Sequence, residues 1–215
     1  MIIVVTGASG SGKSAIAESF AMELHKKKRL FATGDFGLYY LASMQQNPGD
    51  EETQRRIAAH RKMRKGKGFK TIECPRNLGE LLSTPKSGVF LLEDLPNLLA
   101  NELWDTDELR DTNELRDTNE LRDANELRDG DILPERISEA ILQPLVSLAS
   151  RGALIVVTGE IDRDGMQYGK ETRQFIQLLG ALGQSLASEA DLVVEAVFGI
   201  PVILSRRETD QGNCL

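Results

Sequence analysis

The chain has 215 residues, 40% hydrophobic and 27% charged, which suits one soluble domain with a single substantial core, or one domain with an insertion. Its formal net charge of -7 argues against general nucleic-acid binding, which needs a broad basic face to displace counterions. The opening MIIVVTG has no basic leader and soon turns polar, and Cys74 and Cys214 share no motif spacing. The expectation is therefore a cytoplasmic protein without membrane insertion, disulfide or zinc site.

Ile2 to Thr6 is a short apolar run bounded by glycine and predicts a strand buried on both faces. Ser14 to Lys28 predicts a helix with Ile16, Phe20 and Leu24 on one face. It ends in HKKK, cations suited to the negative end of the helix dipole, and His25 among them reads as structural. Leu38 to Ser43 is a better second strand than Leu30 to Thr33, being longer and richer in aromatics. NPGDEE turns the chain into a helix that Asp50 would cap and that carries His60.

Further strands are expected at Phe69 to Glu73, Val89 to Leu92, Ala153 to Thr158, Leu192 to Phe198 and Val202 to Leu204, the last two joined by a Gly-Ile-Pro turn. Helices are expected at Asn77 to Leu82, Pro96 to Trp104, Pro134 to Ser150 and Thr172 to Ala190, the last with Ile176, Leu179 and Leu186 inward. Alternating strands and helices imply an α/β fold, a mostly parallel sheet covered on both faces.

From Asp105 to Arg128 a hexapeptide recurs four times, as in DTNELR. Six residues turn a helix by about 240°, so Leu109, Leu115 and Leu121 share no buried stripe. The segment 105–129 reads as a surface insertion in a single domain, and 206–215 as a mobile tail.

GASGSGKS, from Gly7 through Ala8, Ser9, Gly10, Ser11 and Gly12 to Lys13 and Ser14, fits G-x-x-x-x-G-K-[ST] between a strand and a helix. Such a loop turns successive backbone N–H groups onto a β-phosphate. Lys13 would reach the β- and γ-oxygens, and the Ser14 hydroxyl would serve magnesium. VFLLED offers Glu93 or Asp94 as the partner for Mg2+, and Glu93, which directly ends the apolar run, is the expected one, directly or through water. ATP or GTP is thus the implied substrate class.

The basic charge is concentrated. Arg55 to Lys70 holds eight cations and no acid, so the rest of the chain carries -15 (-7 less 8). Arg56, His60 and Arg64 recur every four residues, within about 80° of arc on a helix. Two guanidinium groups beside an imidazole make a triphosphate clamp and would keep the histidine neutral, as a nucleophile must be. A solvated basic helix is the competing reading of the same charges.

Together GASGSGKS, LYYLASM, RRIAAHRKMRKGKGFKTIEC, FLLEDLPNLLANE, VVTGEI and LLGALGQSLASEADLVVEAVFGIP resemble the bifunctional adenosylcobinamide kinase/adenosylcobinamide-phosphate guanylyltransferase family. The resemblance covers all but the repeat and the tail after Leu204, and implies a P-loop NTPase (RecA-like) fold. It also implies two reactions of cobalamin biosynthesis: phosphorylation of the corrinoid adenosylcobinamide, then GMP transfer from GTP through a histidine to give adenosylcobinamide-GDP. By the resemblance His60 is the GMP-accepting nucleophile. Arg61, Lys62, Met63 and Arg64 follow at the nucleotide, Ala42, Ser43 and Met44 lie near it, and Glu73 and Glu93 are its acidic positions. A homo-oligomer with small-molecule substrates is implied as well. Departures from the family pattern are Gly159 in Thr-Gly-Glu for T-N-E, Gly183 for an asparagine, and Ser205 for a lysine. A plain P-loop small-molecule kinase and a non-catalytic nucleotide-binding relative are the alternatives.

Overall fold

The structure is a computed structural model that describes residues 1–32, 34–45, 51–84, 86–104, 134–159, 161 and 168–207, the side chains at 52, 53, 56, 59, 60 and 63 excepted. The hexapeptide repeat, the Asp50 cap, Glu160 and residues 208–215 lie outside it.

In chain order the elements are β1 (Ile2–Thr6), α1 (Lys13–Arg29), β2 (Phe36–Ala42), α2 (Glu51–Arg64), β3 (Lys70–Glu73), a 3-10 helix (Leu78–Ser83), β4 (Ser87–Glu93) and α3 (Leu95–Trp104). A continuous helix α4 follows in three segments, Glu135–Ile137, a π-turn Ser138–Leu142 and Gln143–Ser150. Then come β5 (Gly152–Val157), α5 (Lys170–Glu189), β6 (Leu192–Val197) and β7 (Ile200–Arg206). The seven strands are ordered β3-β2-β4-β5-β1-β6-β7, all parallel except the antiparallel β6–β7 hairpin. With β5 between β1 and β4, the sheet has the RecA-like P-loop arrangement.

Successive strand residues face opposite sides, and the core divides accordingly. Ile2, Val4, Tyr39, Leu41, Phe90 and Leu92 pack with α3, α4 and α5. Ile3, Val5, Leu38, Tyr40, Val89 and Leu91 pack with α1. Because the strands run parallel, the ends of β1 to β6 open onto one rim, where ligands of such sheets bind.

Several boundaries differ from expectation. On α1 the buried residues are Ala17, Glu18, Ala21 and Leu24, with Ile16 and Phe20 only partly covered, because small residues let the helix approach the sheet closely. On α5 Phe175 and Leu178 are buried in place of Ile176. Asn77 is left-handed (φ 55) and precedes a 3-10 helix. The hairpin turn is Phe198-Gly199, with φ 51 and 80, so Ile200 and Pro201 already belong to β7. Arg206 closes β7, and Arg207 donates from its backbone N–H to Asp191 O at 2.9 Å, so these two residues of the expected tail are held. His25 is structural as expected, its Nε2 donating to Phe36 O at 3.0 Å.

Cys74 is buried, and burial, followed by the charges of Glu102 and Glu80, pushes its thiol from 9.0 to about 11. The folded chain keeps this proton where the unfolded chain loses it, so stability falls as pH rises from about 9 towards 11. Urea midpoints across that window are expected to fall more steeply for the native chain than for Cys74→Ala.

Candidate active site

The phosphate loop joins β1 to α1. Gly12 has φ 91 as the cap of α1, a left-handed angle that an L side chain rarely adopts. Its Cβ would also lie 3.0 Å from Gly199 Cα, and Gly199 N–H donates to Ser11 O at 2.8 Å. The β6–β7 turn therefore buttresses the loop from behind. Lys13 Nζ donates to Ala8 O at 3.1 Å, and Ser14 Oγ donates to Glu93 Oε1. Loop and acid thus meet across the sheet rim although 79 residues separate them in sequence.

A cavity of about 200 Å³ opens above this rim. Of the expected site residues it gathers Ser9, Gly10, Lys13, Ser14, Ala42, Met44, Arg61, Arg64, Glu73 and Glu93. Ser43 is not in its lining. That residue is buried behind, its Oγ accepting from Asp94 N–H at 2.7 Å and its carbonyl accepting from Asn101 Nδ2 at 2.8 Å, which locks the end of β2 to the start of α3. Lys62 lines a different cleft. Position 60 lies on α2 one turn before Arg64 and, by helical spacing, on the face that carries Ile57, Arg61 and Arg64. The side chains of Arg56, His60 and Met63 are outside the described residues.

Three lining residues were not anticipated, Tyr40, Ile57 and Asn97, and Asp94, weighed beside Glu93 as the acidic partner, lines it too. Tyr40 matters most. Its hydroxyl donates to Glu93 Oε2 at 3.1 Å, and the Arg64 guanidinium lies 3.4 Å over its ring. Burial first, then the Glu93 charge, raise the phenol far above its ordinary range, so it remains a neutral donor. Strand order creates this grouping, since Ala42 pairs with Glu93 and brings the ends of β2 and β4 side by side.

Arg64 is only 7% exposed, and its Nη1 is enclosed without a hydrogen-bond partner among the described residues, as is Ser11 Oγ. Buried donors left unsatisfied are costly. Arg61 bonds Glu73 at 2.9 Å, but both are about half exposed, so the pair adds little stability.

The family model for cobinamide kinase / cobinamide phosphate guanyltransferase matches residues 3–204. The chain belongs to this family. It is also 30% identical over 205 residues to the bifunctional adenosylcobalamin biosynthesis protein CobP of Pseudomonas aeruginosa, covering 94% of this chain and 95% of that protein. Among solved structures it is similar to the flagellar accessory protein FlaH from Methanocaldococcus jannaschii, with a TM-score of 0.44, 10% identity, and coverage of 95% of this chain and 78% of that one. A KaiC-like protein from Pyrococcus horikoshii gives a TM-score of 0.38, 15% identity, and coverage of 90% and 69%.

This cobinamide kinase/guanylyltransferase acts in cobalamin biosynthesis on small-molecule substrates that include nucleotides. Among the described residues no helix is long and apolar enough to cross a membrane. Of the three departures from the family pattern, Gly159 lies nearest the chemistry. A Cβ there would sit 3.8 Å from Lys13 Cε, so a side chain fits beside the lysine. Gly183 faces open space, and Ser205 lies exposed on β7.

Proposed function

We propose that the cavity is the nucleotide site and that guanylyl transfer passes through His60. The observation that carries the nucleotide site is a single cavity lined both by Ser9, Gly10, Lys13 and Ser14 of the phosphate loop and by Arg61 and Arg64 of α2. Gly7 to Ser14 would cradle the phosphates, Lys13 would stabilise charge on the transferred group, and Arg61 and Arg64 would hold its oxygens. In the first reaction a corrinoid hydroxyl attacks the γ-phosphorus of ATP or GTP, the nucleoside diphosphate leaves, and the hydroxyl proton is released to solvent. In the second, a His60 ring nitrogen attacks the α-phosphorus of GTP, pyrophosphate leaves, and the ring releases its other proton. The phosphate of the acceptor then attacks the same phosphorus. The P–N electron pair returns to the ring, which takes back a proton.

Ser14 Oγ beside the Glu93 carboxylate is a hard-oxygen pair that fits Mg2+, an ion that takes one or two protein ligands and fills its shell with water and phosphate. When bound it would neutralise the phosphate oxygens. We place Tyr40 as the positioning residue for Glu93. Tyr40→Phe keeps the ring under Arg64 but removes the donor to Oε2. The magnesium concentration for half-maximal turnover is expected to rise about tenfold, in line with one hydrogen bond to a charged group, with nucleotide KM nearly unchanged. Equal magnesium dependence in the two proteins would remove that role.

A homo-oligomer is proposed as well. Val202, Ile203 and Leu204 on the open edge strand β7, with Phe198 at its turn, leave apolar surface uncovered.

The test of the histidine route is incubation with α-labelled GTP. Label on the protein that is acid-labile, base-stable and carried by the peptide spanning residue 60 is expected. Guanylyl transfer without any protein-bound label would exclude a covalent step, and absence of both label and transfer would leave a plain kinase.

A further inference from the structure

Glu18 is a carboxylate that the mechanism above does not use, and its side chain is only 2% exposed. It lies on α1, one turn after Ser14. A buried charge is costly unless it is paired. Its partner is Lys67, whose ammonium bonds Glu18 Oε2. Lys67 stands in the loop after α2, between Gly66 and Gly68, which have φ 84 and 83. These left-handed residues on either side turn the chain back on itself, and only glycine adopts them readily. The lysine is thereby carried from the end of α2 to the flank of the helix that begins at Lys13.

The helix α2 has few other holds. Among its described side chains Arg64 alone is buried, and Ile57 is half-buried. The Arg64 guanidinium rests 3.4 Å over the Tyr40 ring, and Phe69 packs edge-on against the same ring with centroids 6.3 Å apart. Both contacts end on β2. A helix held at one point can tilt about it, and a second hold on a different element fixes its axis. Glu18 supplies that second hold, because Lys67 N–H donates to Arg64 O at 3.1 Å and so moves with the last turn of α2. The phosphate-loop helix does not depend on the pair, since Ala17, Ala21 and Leu24 seat α1 against the sheet.

We propose that Glu18, acting through Lys67, is a positioning residue for the guanylyl step: it sets the tilt of α2 and with it the distance from position 60 to the phosphate loop. The proposal rests on the histidine route above. Position 60 lies about 6 Å along the helix axis from Arg64, so a tilt of about 10° at that point displaces it by about 1 Å. A misplacement of about that size costs about 10²-fold where rate depends on attack geometry. The kinase step draws on Lys13, Ser14 and Glu93, which stand on α1 and β4, and depends far less on this tilt.

Glu18→Gln combined with Lys67→Ala removes the tether and leaves no unpaired buried charge, the change that would most endanger the fold. In that variant, protein labelling by α-labelled GTP and guanylyl transfer are expected to slow about ten- to a hundredfold, while kinase kcat stays within a few-fold of native. Glu18→Gln alone keeps the shape and weakens the pair, and is expected to lower the ratio of labelling rate to kinase kcat by less. Lys67→Arg keeps the cation and is expected to label near the native rate. That ratio is the deciding readout, because a purely structural loss lowers both activities with the folded fraction and leaves the ratio unchanged. An unchanged ratio in the double variant overturns the proposal, as does an unaltered labelling rate. Guanylyl transfer by the native protein without protein-bound label refutes the histidine route instead, and is seen before any variant is made.

Discussion

His60→Ala is expected to lose guanylyl transfer while retaining cobinamide phosphorylation. Removing a nucleophile forces the acceptor phosphate to displace pyrophosphate directly, and the loss is expected to be about 10⁴-fold or more in kcat. Kinase turnover should stay within a few-fold, because the phosphate loop, Lys13, Ser14 and Glu93 lie on other elements. Alanine is also a better helix former than histidine, so α2 is not weakened by the exchange. The two activities are read separately, with γ-labelled donor for phosphorylation and α-labelled GTP for transfer. Undiminished transfer would show direct displacement. Loss of both activities would show that position 60 supports the whole site rather than one step.

The frame of this site was legible because its signals are local. The phosphate loop is contiguous, and the apolar runs of β1, β4 and β5 are bounded by glycine or acid. The basic helix was legible as a charge pattern, and its phase then divided it. Ile57, Arg61 and Arg64 reach the cavity at the sheet rim, while Lys62 falls on a different cleft. Tyr40 was not legible, since within LYYLAS it reads as strand filler. Its role comes from β2 lying beside β4, a pairing of residues about fifty positions apart. The β6–β7 turn was misplaced for a different reason. Phe198 adopts a positive φ that few side chains take, so Gly-Ile-Pro gave the stronger local turn signal.

Lys13→Ala distinguishes one shared triphosphate site from two. In the proposed site both reactions begin with a triphosphate in the loop from Gly7 to Ser14, although they break different bonds. Lys13 would stabilise the γ-group in the kinase reaction and the departing pyrophosphate in guanylylation. Its ammonium is 3.1 Å from Ala8 O, and the residue lines the proposed nucleotide cavity. Loss of one preorganised charge of this kind costs about 10² to 10³ in rate. Both kcat values are therefore expected to fall by that amount, and protein labelling by α-labelled GTP is expected to slow in parallel. This contrasts with His60→Ala, where one activity persists. A Lys13→Ala protein that still labels at the native rate while losing kinase turnover would require GTP to bind for guanylylation without the phosphate loop. The cationic α2 face around Arg64 would then be the site that receives it.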